Sequence, residues 1–250
     1  MIALRARAKL TWNFEITGRR DNGYHELRSE MVTIGLEDIL VIEEDADYLR
    51  VMSPFAFAVP DDETNLVSRA LAMVKRRAGV TIEKGIPVGG GLGGGSADAA
   101  AILRWCGGVS AEQALRLGGD VPFCQVGGRA IVEGVGERIT PLAFEERQVT
   151  LVMPDFGVDT ADCYRAFDEL RDAGWTPEGR NHLEVPAGVV EPRLKRTLEW
   201  LRGEFGTGVQ LAGSGSTLFI EGPVSDQLRQ WDVQGPEGTL AFYQTTTTPD

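Results

Sequence analysis

The chain has 250 residues, 42% of them apolar and 25% charged, enough for one large domain or two smaller ones with a sizeable core. Its formal net charge is −12 and no Lys/Arg cluster offsets it, which argues against a nucleic-acid or anionic-membrane partner. Three widely spaced cysteines, Cys106, Cys124 and Cys163, fit reduced thiols better than a disulfide or metal framework, and no apolar run reaches membrane-spanning length. The expectation is a soluble cytoplasmic protein.

In chain order, residues 8–16 alternate as a strand, with Lys9 and Thr11 on one face because strand side chains repeat every two residues. A turn over 17–25, punctuated by Asn22-Gly23, delivers Tyr24 and His25 side by side. Two readings stand for that pair: a surface turn with Tyr24 packed inward, or two rings that stack on and hydrogen-bond a planar ligand. Two further strands are expected at 31–34 and 38–43. A helix follows, capped by Thr64 or Asn65, with apolar Leu66, Ala70, Leu71 and Val74. Residues 80–84 alternate as a strand.

The most distinctive stretch comes next: Pro87-Val88-Gly89-Gly90-Gly91-Leu92-Gly93-Gly94-Gly95-Ser96-Ala97-Asp98. Glycines let a backbone turn with positive φ and approach a ligand closely, and the alanine-rich run after Ser96 is strongly helix-forming. Ser96 is the expected N-cap, with Asp98 in the first turn. A glycine loop opening onto a helix N-terminus is suited to an anion such as phosphate. A flexible linker would not be braced by Pro87 on one side and a helix on the other. The match to G-x-G-x-x-G is nearly automatic in so glycine-rich a tract, and no Gly-Lys-Ser/Thr follows, so the common P-loop is absent.

Ser110 caps a short helix stopped by Gly118-Gly119, and Asp120-Val121-Pro122-Phe123 reads as a proline turn. There Asp120 is either a solvated cap or, if it lies near the phosphate loop and a lysine, a general base. Strands are expected at 130–133 and 148–153. Beyond Pro154 the composition turns helix-rich, so a domain boundary is placed near residue 147, giving domains 1–147 and 148–250. Thr160 is the expected cap of a helix through Leu170, and 191–202 forms another. A second small-residue loop, Leu211-Ala212-Gly213-Ser214-Gly215-Ser216-Thr217, leads into a strand, and the tail from Thr245 is expected to fray. Two such loops in different halves suggest that both face one ligand.

Taken together, these segments resemble the GHMP kinases, the superfamily of galactokinase and of homoserine, mevalonate and phosphomevalonate kinases. The resemblance rests on Ala8-Lys9-Leu10, on the loop from Pro87 to Ala97 and on the loop holding Gly213, Ser214 and Gly215. The triple-glycine loop, the segment from Ile16 to Leu27 and Gly119-Asp120-Val121-Pro122-Phe123 are similar to the branch acting on 4-diphosphocytidyl-2-C-methyl-D-erythritol. The resemblance implies a two-domain α+β fold with its active site in the interdomain cleft. It also implies ATP-dependent phosphorylation of that substrate's 2-hydroxyl, in the non-mevalonate route to isoprenoid precursors, by a monomer or homodimer. Asp120 would be the base and Lys9 its neighbour. Tyr24 and His25 would hold cytosine, with Tyr164 and Thr160 close by and Thr11 near the substrate. Asn65 and Lys84 would lie near adenosine and the loop around the triphosphate. Mg²⁺ would neutralise the remaining charge without dedicated protein ligands. One residue departs from the pattern: Thr11 stands where the family carries asparagine. The chain is also shorter than the family usually runs. The alternatives are another small-molecule kinase of the superfamily, or a nucleotide-binding homologue impaired at Thr11.

Overall fold

The first half of the molecule is built on a single strand of nineteen residues. The computed structural model describes residues 1–55, 58–225 and 229–249. In chain order its elements are β1 (Ile2–Thr11), β2 (Glu15–Arg19), β3 (His25–Glu43), β4 (Tyr48–Met52), α1 (Leu66–Met73), β5 (Gly79–Glu83), α2 (Gly94–Trp105), α3 (Ala111–Leu115), α4 (Val121–Val126), β6 (Arg129–Gly134) and β7 (Arg138–Pro141). They continue with β8 (Gln148–Pro154), α5 (Thr160–Asp172), α6 (Glu184–Val190), α7 (Pro192–Phe205), β9 (Gln210–Leu211), β10 (Leu218–Glu221), β11 (Gln230–Gly235) and β12 (Gly238–Thr246). The fold is mixed α+β, as expected.

Strand β3 pairs antiparallel with β1, β2, β5 and β6, and β4 joins β5 in parallel. The sequence pattern predicts two strands here, at 31–34 and 38–43, but the chain runs through without a break. Gly35, in the middle, makes room rather than a turn: a Cβ there would lie 2.9 Å from Thr245 Oγ1 on β12. Helix α2 lies against β1, with Ala97, Ala99, Ala100, Ile102 and Leu103 all buried. Its small alanines let it sink between the sheet and α1 and α4, which is why the stretch is apolar around much of its circumference.

The second half carries its own five-stranded sheet, β11-β12-β8-β10-β9, so the expectation of a helix-rich second half is only partly met. The expected fraying of the tail is overturned as far as residue 249; Asp250 lies outside the described residues. Strand β12 pairs with β8 as far as Thr246, and Thr247 is 4% exposed. Thr247 Oγ1 donates to the Glu145 carbonyl at 2.7 Å, and the Thr248 amide donates to the Thr33 carbonyl at 2.9 Å. The β-branched threonines suit an extended, paired chain, and the pairing carries the C-terminal strand back onto β3. A second tie lies near Trp12, whose ring sits 5.3 Å from that of Phe219.

Three local expectations are corrected. Helix α2 begins three residues early: Gly93, at φ +70°, is its N-cap, in a left-handed conformation that Ser96 would adopt only with strain. Asp159, not Thr160, caps α5 by accepting from the Asp162 amide. The segment after Asp120 is the short helix α4, with Pro122 in its first turn. Two expected caps are observed: Asn65 accepts from the Val67 amide, and Ser110 forms a reciprocal capping box with Gln113.

Candidate active site

At the C-terminal end of β1 the period-two alternation turns Lys9 and Thr11 toward the helices. Lys9 is 6% exposed, and its Nζ lies 3.0 Å from Thr11 Oγ1 and 3.1 Å from Asp120 Oδ2. Asp120 sits at the N-cap of α4 but makes no side-chain capping bond, which leaves its carboxylate turned to the lysine. That carboxylate is about one-third exposed, the open side of an otherwise buried pair. The arrangement offers a proton acceptor beside a fixed positive charge.

Two glycine loops close over this pair. The first is tied to β1 where the Lys9 amide donates to the Leu92 carbonyl at 3.0 Å. A Cβ on Gly93 would come within 2.8 Å of Lys9 Cγ, and one on Gly91 within 2.7 Å of the Gly215 carbonyl oxygen. The second loop bonds to the first through the Thr217 amide and the Gly90 carbonyl, at 3.2 Å. Gly213 borders Thr11 and Lys9, and Thr160 Oγ1 lies 2.8 Å from Ser214 Oγ. The two halves therefore meet backbone to backbone over Lys9 and Asp120, where side chains larger than hydrogen would not fit.

Beside the first loop lies a cavity of about 240 Å³, lined by Asn65, Leu66, Lys84, Asp98 and residues 86–95. Ser96 and Ala97 stand in the first turn of α2 behind it, Ala97 fully in the core. Lys84 is buried and paired with two carboxylates, Asp38 and Asp98. Burial opposes its charge, but Asp98 and Asp38 outweigh it and hold its pKa above the ordinary lysine value. Asp38 also accepts from the Gly85 and Ile86 amides, at 2.6 and 2.8 Å, which fixes the chain as it enters the loop. Burial pushes the Asp98 carboxyl up to about 7, with Lys84 acting against that rise and Asp38 adding to it. Its Oδ1 has no hydrogen-bond partner. Lys84 is thus first a structural cation, a role its position before the loop does not announce.

A third group of residues forms an aromatic cluster. His25 opens β3 and stacks on Tyr164 of α5 at 4.9 Å, with Phe167 edge-on at 5.9 Å. Burial lifts the Tyr164 phenol above its ordinary range, and the Asp120 charge adds to the rise. Tyr24 projects from the turn at 65% exposure and makes no ring contact among the described residues. Sequence reasoning missed two residues here. Asp168 pairs with His25 Nε2 at 2.7 Å, and buried Asn181 donates to the carbonyls of Leu211 and Gly213 at 2.9 and 2.8 Å. Both act across thirty residues of sequence or more, so no local motif marks them.

The family model for the GHMP kinases N terminal domain matches residues 65–128. A 4-diphosphocytidyl-2-C-methyl-D-erythritol kinase of Paracoccus denitrificans is 37% identical, the match covering 86% of this chain and 84% of the relative. One of the same name from Clostridium botulinum is 38% identical over 86% of this chain and 89% of its own. A crystal structure of 4-(cytidine 5'-diphospho)-2C-methyl-D-erythritol kinase superposes with a TM-score of 0.71 at 30% identity, covering 99% of this chain and 100% of that one. L. major mevalonate kinase, at 14% identity and a TM-score of 0.66, shares the fold. With two glycine loops meeting over Lys9 and Asp120, and relatives above 35% identity along most of its length, the chain belongs to the 4-diphosphocytidyl-2-C-methyl-D-erythritol kinases, a family of GHMP kinases.

Proposed function

We propose that the chain transfers the γ-phosphoryl group of ATP to the 2-hydroxyl of 4-diphosphocytidyl-2-C-methyl-D-erythritol, in the non-mevalonate route to isoprenoid precursors. The observation that carries this reading is the Lys9–Asp120 pair at 3.1 Å, enclosed by glycine loops from both halves of the chain. Asp120 takes the hydroxyl proton as the oxygen attacks the γ-phosphorus and the bond to the β-phosphate oxygen breaks, leaving ADP. Lys9 orients the hydroxyl and offsets negative charge. Phosphoryl transfer asks mainly for positioning and charge stabilisation, and amides of the loop and of the α2 N-terminus supply donors without a basic patch. The aromatic pocket of Tyr24, His25 and Tyr164 receives the cytosine, and Asn65 and the glycine loop receive the nucleotide.

Mg²⁺ enters with ATP in this reading. Among the described residues no three His, Cys, Asp or Glu side chains gather into a metal cage; Asp120 and Asp98 lie apart, on opposite sides of the first loop, a donor set suited to a cation held mainly by phosphate oxygens. When bound, the ion would neutralise charge on the transferring group. Thr11, where the family carries asparagine, still offers Lys9 Nζ a hydrogen-bond acceptor at 3.0 Å. We read the chain as two domains, 1–147 and 148–250, each contributing one glycine loop, in a cytoplasmic monomer or homodimer. No helix among the described residues is long and apolar enough to cross a membrane.

The test is phosphorus NMR of the protein with Mg-ATP and the cytidine substrate. A new phosphomonoester resonance appearing together with ADP is expected. ATP left intact, with its binding measured separately, would overturn the reading.

A further inference from the structure

The turn that carries Tyr24 is held by a residue outside the mechanism above. Arg19 and His25 face each other as the last β2–β3 partners before the turn. Both reach the same carboxylate on α5: His25 Nε2 meets Asp168 Oδ1 at 2.7 Å, and Arg19 meets Oδ2 at 3.3 Å. A carboxylate accepts and does not donate, so the proton of the neutral His25 ring is on Nε2. The ring is pinned between Tyr164 on its face and the edge of Phe167, with 9% of its side chain exposed. Its other nitrogen, Nδ1, makes no hydrogen bond among the described residues.

We propose that Asp168 is a positioning residue that sets base specificity: by holding the His25 proton on Nε2, it presents Nδ1 as an acceptor. An acceptor at that point favours a pyrimidine whose 4-substituent is an amine over one with a carbonyl oxygen there, which would face the nitrogen lone pair. The inference rests on the base-pocket reading and deepens it, by naming what separates cytosine from uracil. The same carboxylate, bound to both ends of the turn, fixes where Tyr24 stands relative to α5. A neutral hydrogen bond kept or lost in this way is worth on the order of a tenfold preference.

Two measurements test it on the full-length protein. The chain has two histidines, so ¹⁵N-histidine labelling with long-range proton–nitrogen correlation, with His25→Gln for assignment, reads the His25 tautomer directly. A protonated Nε2 is expected in the wild type, and a proton on Nδ1 would overturn the proposal whatever binds. Titration with CDP and UDP then reads selectivity. The wild type is expected to prefer CDP about tenfold, D168A to fall within about twofold of parity, and D168E to recover part of the preference. Loss of CDP and UDP affinity by one common factor in D168A would mean that Asp168 only holds the turn in place. A wild type that binds neither diphosphate would refute the base-pocket reading and the selectivity with it, while the tautomer result would stand separately.

Discussion

Lys9 and Asp120 share one contact, and each is what makes the other tolerable where it sits: a nearly buried ammonium needs a counter-charge, and a carboxylate enclosed beneath two loops needs a cation beside it. Asp120→Asn is expected to keep ATP affinity and lower kcat by about 10²- to 10⁴-fold, read in a coupled ADP-release assay; unchanged turnover would remove Asp120 from the chemistry. Asp98 is the opposite kind of carboxyl. Its pKa is raised from 3.8 to about 7 by burial, so the folded chain holds this proton more tightly than the unfolded one. Its contribution to stability is therefore complete below the ordinary carboxylate range and lost as pH rises through about 7. The melting temperature of Asp98→Asn, followed by circular dichroism between pH 4 and 8, is expected to fall less with rising pH than that of the wild type. Equal slopes would show that Asp98 does not titrate in this window.

Among the elements, the two glycine loops make a sharp contrast testable within one loop. Gly89, at φ +76°, has open space where a Cβ would go, whereas Gly91, at φ +75°, has the Gly215 and Ala212 carbonyl oxygens at 2.7 and 2.9 Å. Backbone strain is common to both positions, so the difference between them reports the packing of loop on loop. Gly89→Ala is expected to cost about 1 kcal/mol of stability, measured by urea unfolding, and Gly91→Ala clearly more, with a larger rise in the KM for ATP. Equal effects would mean the loops are not in contact in solution. The first loop was readable because its glycines cluster and an alanine helix follows at once. The helix start was misplaced because only φ angles distinguish which of several glycines takes the left-handed turn. Lys9 and Thr11 were readable as neighbours because strand period alone puts them on one face. Asp168 and Asn181 were not, since each is defined by a partner brought close only by folding. The pattern of the 19-residue strand predicts two strands, 31–34 and 38–43, and only β12 passing over Gly35 explains the glycine between them.

At the scale of the whole molecule, the last residues hold the two halves together. Thr247 bonds to the backbone of Glu145 and Arg147, and Thr248 to Thr33. Removing residues 247–250 deletes several such bonds, each worth about 0.5–1.5 kcal/mol. A loss of roughly 2–4 kcal/mol is expected in urea unfolding, and unchanged stability would show that the tail contributes nothing. The net charge of −12 is compatible with the proposed function, in which phosphates meet backbone amides and a paired lysine rather than a positive surface.

The joining of the two loops at Gly90 and Thr217 also has a consequence during synthesis. The two loops that close over Lys9 and Asp120 are separated by more than a hundred residues, so the ribosome releases them far apart in time. A nascent chain that has already formed the first sheet and α2 carries the cavity beside the first loop but still lacks the backbone of Gly213 and Gly215 that covers Lys9 and Asp120. The enclosure of that pair therefore arrives late and all at once, after the second loop has emerged and docked, and a ligand that needs both loops can favour only the finished molecule over its partly folded precursors.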